Sequence, residues 1–194
     1  MVLREQKKLD EARVAAKKGA DLDPTGGPAL SNLGNVYMDL HRYQEASACF
    51  RKAMEFQPSF ATSYFNYGNA LRLLHVLDKA HYYYNKALAL EPERGEFLHN
   101  QGLVYQEQGL HQEALEQFRA AHGASPDHLG LEFSLARSLW NNGFFEESWE
   151  HFDAGLTGEL RKPNRRFQVP RWRGEDISDK RILVWREQGL GDEI

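Results

Sequence analysis

The sequence predicts an all-α protein, a solenoid of antiparallel helix pairs, followed by a short non-helical C-terminal tail with one strand-like segment. Three observations carry this reading. Small residues recur at a fixed step, because Gly34, Gly68 and Gly102 lie 34 positions apart and Ala136 stands at the next step. Four further columns keep the same step: Ala46, Ala80, Ala114 and Ser148; Phe50, Tyr84, Phe118 and Phe152; Ala53, Ala87, Ala121 and Gly155; Pro24, Pro58, Pro92 and Pro126. Each unit also holds two apolar stripes of helical spacing, such as Leu30, Leu33 and Tyr37, then Ala46, Phe50 and Ala53, divided by a short polar break.

In chain order, residues 1–26 form a half unit, the second helix of a pair whose first helix is missing. Ala12, Ala16, Leu22 and Pro24 there fall one period before Ala46, Phe50, Phe56 and Pro58. Complete units follow at 27–60, 61–94 and 95–128. Small residues let the two helices of a pair approach closely, and the large residues at Phe50, Tyr84 and Phe118 fill the gap to the next pair. The prolines stop the second helices, since proline lacks the N–H and clashes with the preceding turn. A fourth unit at 129–160 drifts, with Glu132 in a large-residue column, Ser148 and Gly155 for alanine and Leu160 for proline. Such drift is expected of a terminal unit that meets something other than another repeat. One pair alone cannot bury its stripe, so stacking into a curved solenoid is obligatory.

The order Leu30-x2-Leu33-Gly34-x2-Tyr37, then Ala46-x3-Phe50, Ala53 and Pro58, resembles the tetratricopeptide repeat (TPR) motif. That resemblance implies a right-handed superhelix whose first helices line the concave surface, and a protein or peptide partner bound there. Asn32, Asn66 and Asn100 recur at the same step, and Asn35 and Asn69 sit one turn further along. A carboxamide donates and accepts at once, so a ladder of them can hold an extended peptide by its backbone. With helices spaced about 8 to 10 Å and an extended chain advancing about 3.3 Å per residue, each Asn would meet roughly every third peptide residue. A similar asparagine ladder belongs to the TPR region of O-GlcNAc transferases, and the resemblance extends to Asn32, Asn66 and Asn100 but stops at Ser134. Phe65, Arg72, His99, Phe133, Arg137 and Trp140 are the flanking groups expected to give specificity, since aromatics and arginines make interface hot spots. Packing of Phe65, Phe133 and Trp140 against the core or a neighbouring domain is the alternative. The basic clamp of chaperone-binding TPR proteins is not evident, because Ser31 and His99 stand at its basic positions.

Composition narrows the partners. The 194 residues carry 24 Lys+Arg against 28 Asp+Glu, a net charge of −4, and an acidic balance argues against nucleic acid or an anionic membrane. Mean hydropathy is −0.65, and no segment approaches the roughly 20 apolar residues that span a bilayer. Cys49 is the one cysteine, which points to a reducing compartment and a soluble cytoplasmic protein. The apolar residues left open by the missing half repeat, Ala12 and Ala16, allow a homo-oligomer formed end to end.

No cofactor, metal site or catalytic residue is expected in the repeats. The eight histidines show no i, i+4 pairing with a carboxylate partner, and no nucleophile elbow, complete Walker loop or His-Glu-x-x-His is present. The triple Tyr82-Tyr83-Tyr84 reads as packing, and His41 and His75 occupy the surface turn where Gly109 and Gly143 stand later.

The composition changes after the array. A linker over 161–180 is basic, with Arg161, Lys162, Arg165, Arg166, Arg171 and Arg173 in a stretch that holds no acid up to 173. Residues 181–194 read as a buried strand, Arg181 to Trp185, and a glycine-rich turn. With Pro170, Trp172 and Gly174, this run resembles the start of the catalytic domain of bacterial TPR-linked glycosyltransferases related to heptosyltransferases. The resemblance implies a Rossmann-like domain, a tight turn at Gly189 and Gly191, and Asp192 as the base that deprotonates an acceptor hydroxyl. A chain ending at Ile194 would lack the nucleotide-sugar pocket, so no transfer is expected of it. Two readings follow: an interaction module, or the acceptor-recognition region of a truncated glycosyltransferase.

Overall fold

The computed structural model describes residues 2–157. The basic linker, the strand and the turn at Gly189, Gly191 and Asp192 lie outside the described residues. Within them the chain is the expected array of antiparallel helix pairs. It runs α1 (Val2–Leu22), α2 (Gly27–Asp39), α3 (Tyr43–Phe56), α4 (Ala61–Leu73), α5 (Leu77–Leu90), α6 (Gly95–Glu107), α7 (His111–Ala124), α8 (Leu129–Asn141) and α9 (Phe145–Thr157).

Every first helix ends in the same way, and the reason is in the backbone. His41, His75, Gly109 and Gly143 adopt φ of 57°, 57°, 77° and 83°, the left-handed conformation that reverses a helix end. The next N–H reaches back five residues, from Arg42 to Tyr37 O (2.8 Å), Val76 to Leu71 O (2.9 Å), Leu110 to Tyr105 O (2.9 Å) and Phe144 to Leu139 O (3.0 Å). This is the Schellman motif, whose characteristic apolar contact joins the two residues so linked. That explains an exposed Val76, Leu110 and Phe144 at the tip of each turn. In the first unit the same contact is made by Arg42, whose guanidinium lies 4.9 Å from the Tyr37 ring centroid.

The second helices stop where proline forces the preceding residue to be extended. Gln57, Glu91 and Ser125, each just before a proline, have φ of −134°, −134° and −148°. Between the two stops the helix pair is held by close approach. A methyl added at Gly68 would lie 2.6 Å from Tyr84 Cε1, and one at Gly102 would lie 2.8 Å from Phe118 Cε1. Phe50, Tyr84 and Phe118 are buried along with Ala46, Ala80, Ala114, Ala53, Ala87 and Ala121, so these columns form the continuous interior of the array.

Among the described residues, first helices touch one another (α2 with α4, α4 with α6, α6 with α8), whereas second helices touch only first helices. The array therefore bends with α2, α4, α6 and α8 on its inner side. At its N-terminal end α1 packs on α2, burying Ala20 with Leu30, Leu33 and Ala53. No helix among the described residues is long and apolar enough to cross a membrane.

Candidate peptide-binding groove

The inner face is fastened by polar contacts between successive first helices. The Ser31 and Ser63 hydroxyls meet at 3.0 Å in a buried contact, and Asn66 Nδ2 donates to Asn35 Oδ1 at 3.0 Å. Arg72 Nη1 donates to Glu107 Oε1 at 2.5 Å. His99 Nε2 lies 2.8 Å from Ser134 Oγ, and that hydroxyl donates its one proton to Gly130 O at 3.0 Å, so the imidazole is the donor. Arg137 Nη2 reaches Gln106 Oε1 at 3.4 Å. Each boundary between units thus carries at least one such pair, and a buried pair that is satisfied fixes the spacing of the helices.

These contacts decide which amides remain available. Asn66 is buried and gives its donor to Asn35, which leaves the Asn66 carbonyl oxygen and the Asn35 amide nitrogen unspent. Asn69 Oδ1 accepts from Tyr84 Oη at 2.6 Å, leaving its NH2 to donate. Asn100 Nδ2 donates to Glu96 O at 2.9 Å in its own helix, leaving its oxygen to accept. Asn35, Asn66 and Asn69 line one small cavity of about 200 Å3 together with Met38 and Asp39. Asn100 stands one unit on, and Asn32 is exposed outside that cavity.

The three aromatics expected to flank the groove each pack on other rings. Phe65 is 4% exposed and stacks on Phe97 at 4.5 Å, with Tyr84 at 5.8 Å, so it is a core residue joining two units and not a groove contact. Trp140 is partly exposed, but its ring meets Phe145 at 4.9 Å and Trp149 at 5.6 Å, which turns it toward the end of the array. Phe133 likewise packs on Phe152, at 5.7 Å. Arg72 is on the inner face yet committed to Glu107, whereas Arg137 is exposed and held only by its long contact to Gln106.

His99 combines three constraints. It is partly buried, its ring lies 5.5 Å from that of Phe118, and its pKa is pushed down to about 4, first by burial and then by the charges of Arg137, His128 and Arg72. It is therefore a neutral donor at neutral pH. Around it opens a larger cavity of about 950 Å3 at the start of α6 and α8, lined by Glu91, Glu93, Arg94, Glu96, His128 and Leu131 among others. Arg94 is occupied there, 2.8 Å from Glu91 and 4.8 Å from the Phe97 ring centroid. Glu91, Glu93 and Arg94 had a signal in the sequence, the charged run around Pro92, but they lie at the connection between α5 and α6 and recur at no repeat column.

Two family models, both described as tetratricopeptide repeat, match residues 27–93 and 75–128. Protein FlbA of Caulobacter vibrioides (strain ATCC 19089 / CIP 103742 / CB 15) is 35% identical over 101 residues, which is 50% of this chain and only 17% of FlbA. The crystal structure of MamA is similar at a TM-score of 0.66 and 25% identity, covering 79% of this chain and 90% of that one. That of YrrB, described as a TPR protein with an unusual peptide-binding site, is similar at a TM-score of 0.58 and 24% identity over 80% of each chain. None of these similarities supports the glycosyltransferase resemblance of residues 170–194. Taken together, the two family models run without a break over residues 27–128, more than half of the sequence, and this chain belongs to the tetratricopeptide repeat family.

Proposed function

We propose that the array is a protein-interaction module that holds an extended segment of a partner protein along its inner face. The observation that carries this reading is the unspent half of each amide around the Asn35–Asn66 pair: two donors, on Asn35 and Asn69, and one acceptor, on Asn66, at one small cavity. Asn100 adds an acceptor one unit further on. A peptide backbone presents one donor and one acceptor per residue, so alternating capacities of this kind suit its main chain whatever its side chains. Exposed Arg137 adds a cation to the same face. YrrB supports the reading to the extent that the shared architecture can carry a peptide site; at its identity only the fold is common.

The test begins with peptides selected from a random library displayed on phage and panned against the whole chain. Calorimetry of a selected peptide should show Asn66→Ala with Asn100→Ala weakening binding about tenfold, since each lost hydrogen bond is worth about 1 kcal/mol. Melting by circular dichroism should show both variants folded. Unchanged affinity in a folded double variant sinks the amide role.

A further inference from the structure

We propose that the C-terminal end of the array, formed by α8 and α9, is a second docking site, one that takes an amphipathic helix of a partner protein carrying basic residues beside its apolar face. The shape of the occupant follows from continuity with the array's own internal interfaces. In the column of Trp149, His81 packs its ring 5.1 Å from Tyr105 of the next first helix, and Leu115 is buried against Leu135 and Leu139 of the next. In the column of Trp140, Arg72 and Gln106 each bond to the following first helix, through Glu107 and Arg137. These two columns are therefore the socket into which a first helix of 13 residues fits, as α6 and α8 do.

At α8 and α9 the residues at these positions are aromatic and exposed. Trp140 is 41% exposed and Trp149 52%, and their rings form a connected cluster with Phe145 and Phe152, at centroid distances of 4.9 to 5.9 Å. Contiguous exposed aromatics of this kind mark an interaction surface.

Charge selects the chemistry of the occupant. Glu146 and Glu150 are exposed on α9 beside Trp149 and make no ion pair among the described residues. Of the arginines around the fourth unit among the described residues, Arg119 is spent, donating to Glu147 at 2.7 Å and lying 5.6 Å from the Phe144 ring centroid, and Arg137 on α8 bonds back toward α6 at Gln106. Lysines or arginines on the incoming helix gain from these exposed carboxylates and from the indole faces alike. Trp140 continues the inner-face column of Met38 and Arg72, so this site stands at the far end of the array from the Asn35–Asn66 cavity and uses none of the groove's amides.

The experiment uses the full chain and a synthetic peptide of about 14 residues with leucine on one helical face and lysine on the other, against a counterpart with glutamate in place of lysine. Binding is read by calorimetry, and the accessibility of Trp140 and Trp149 by iodide quenching, as the difference between wild type and Trp140→Ala/Trp149→Ala. The expected result is binding of the lysine peptide with loss of iodide quenching, weakened about tenfold by the double tryptophan variant. Glu146→Gln/Glu150→Gln, two surface changes that leave packing alone, should weaken it several-fold, while Asn66→Ala leaves it unchanged. Equal binding of both peptides, or equal binding by all variants, overturns the proposal. Tryptophans already shielded from iodide in the free chain overturn it too, because the face would then be covered without a partner.

Discussion

Leu115 and Trp149 stand in the same column one unit apart, yet Leu115 is 2% exposed and Trp149 is 52% exposed. The helices around them are alike in length and pairing; what differs is that α8 lies over Leu115. A column in a repeat array thus fixes where a side chain sits on its own helix, and the following unit decides whether it is core or surface. The inner units spend their columns on stability. The fourth unit keeps the same positions with their side chains exposed.

The strongest way to break this comparison is to truncate both members. Leu115→Ala should cost about 2 to 5 kcal/mol of unfolding free energy, the range for a buried leucine, whereas Trp149→Ala, half exposed and held by two ring contacts, should cost only about 1 kcal/mol. Urea unfolding of the two variants measures both, and a reversed ranking would contradict the assignment of the two environments.

A methyl at Gly68 sharpens the same contrast. Tyr84 is fully buried there and its ring atoms stand 2.6 and 2.8 Å from the added carbon, so Gly68→Ala should cost about 1 to 3 kcal/mol by overpacking. In the last unit that column already holds a buried Ala136, so Ala136→Gly should be governed by helix propensity and lost packing instead, without relief of any clash.

Acid should loosen the junction between the third and fourth units. His99 in the folded chain has a pKa of about 4, below the unfolded value of about 6.5, so the unfolded chain takes up the proton first. The stability it contributes is complete above about pH 6.5 and is lost as the pH falls toward about 4. Allowing for its partial exposure, His99→Gln should reduce the pH dependence of stability across that window by about 1 to 2 kcal/mol. Melts at a series of pH values check it, and identical slopes for the two proteins would contradict it.

The smallest expected effect is at the turns. His41 and His75 occupy a left-handed position that Gly109 and Gly143 fill in the later units. Relief of the side-chain penalty, offset by the greater freedom of glycine when unfolded, predicts that His75→Gly stabilises by up to about 1 kcal/mol. A loss of stability would mean that the histidine side chain contributes more than its backbone costs.

The solenoid was legible in the sequence because packing writes itself into repeating columns: Gly68 is small since Tyr84 is large, and both recur. The turns were half legible. The alignment of His41 and His75 with Gly109 and Gly143 located the turn, but histidine in two of the four units hid the left-handed backbone that all four share. Phe65 was misplaced for a physical reason. Its column also holds Ser31 and His99, which look like surface residues, yet Ser31 is buried in a pair with Ser63 and His99 is bonded to Ser134, so polarity in that column reports pairing and not exposure. Trp140 keeps the column of Met38 and Arg72 and is exposed, but its ring contacts with Phe145 and Trp149 join it to a cluster that no repeat column announces. The ladder of asparagines was readable as a pattern. That Asn66 spends its donor on Asn35, and Asn69 its oxygen on Tyr84, depends on side-chain directions that no spacing encodes.

The central claim, that partner segments lie along the inner face, is tested most directly by amide hydrogen exchange of the whole chain with and without a peptide selected for binding. The account predicts slowed exchange confined to the first helices, centred on α4 and α6 around Asn66, Asn69 and Asn100. Slowed exchange centred on the second helices α3, α5 and α7, with α4 and α6 unchanged, would contradict it.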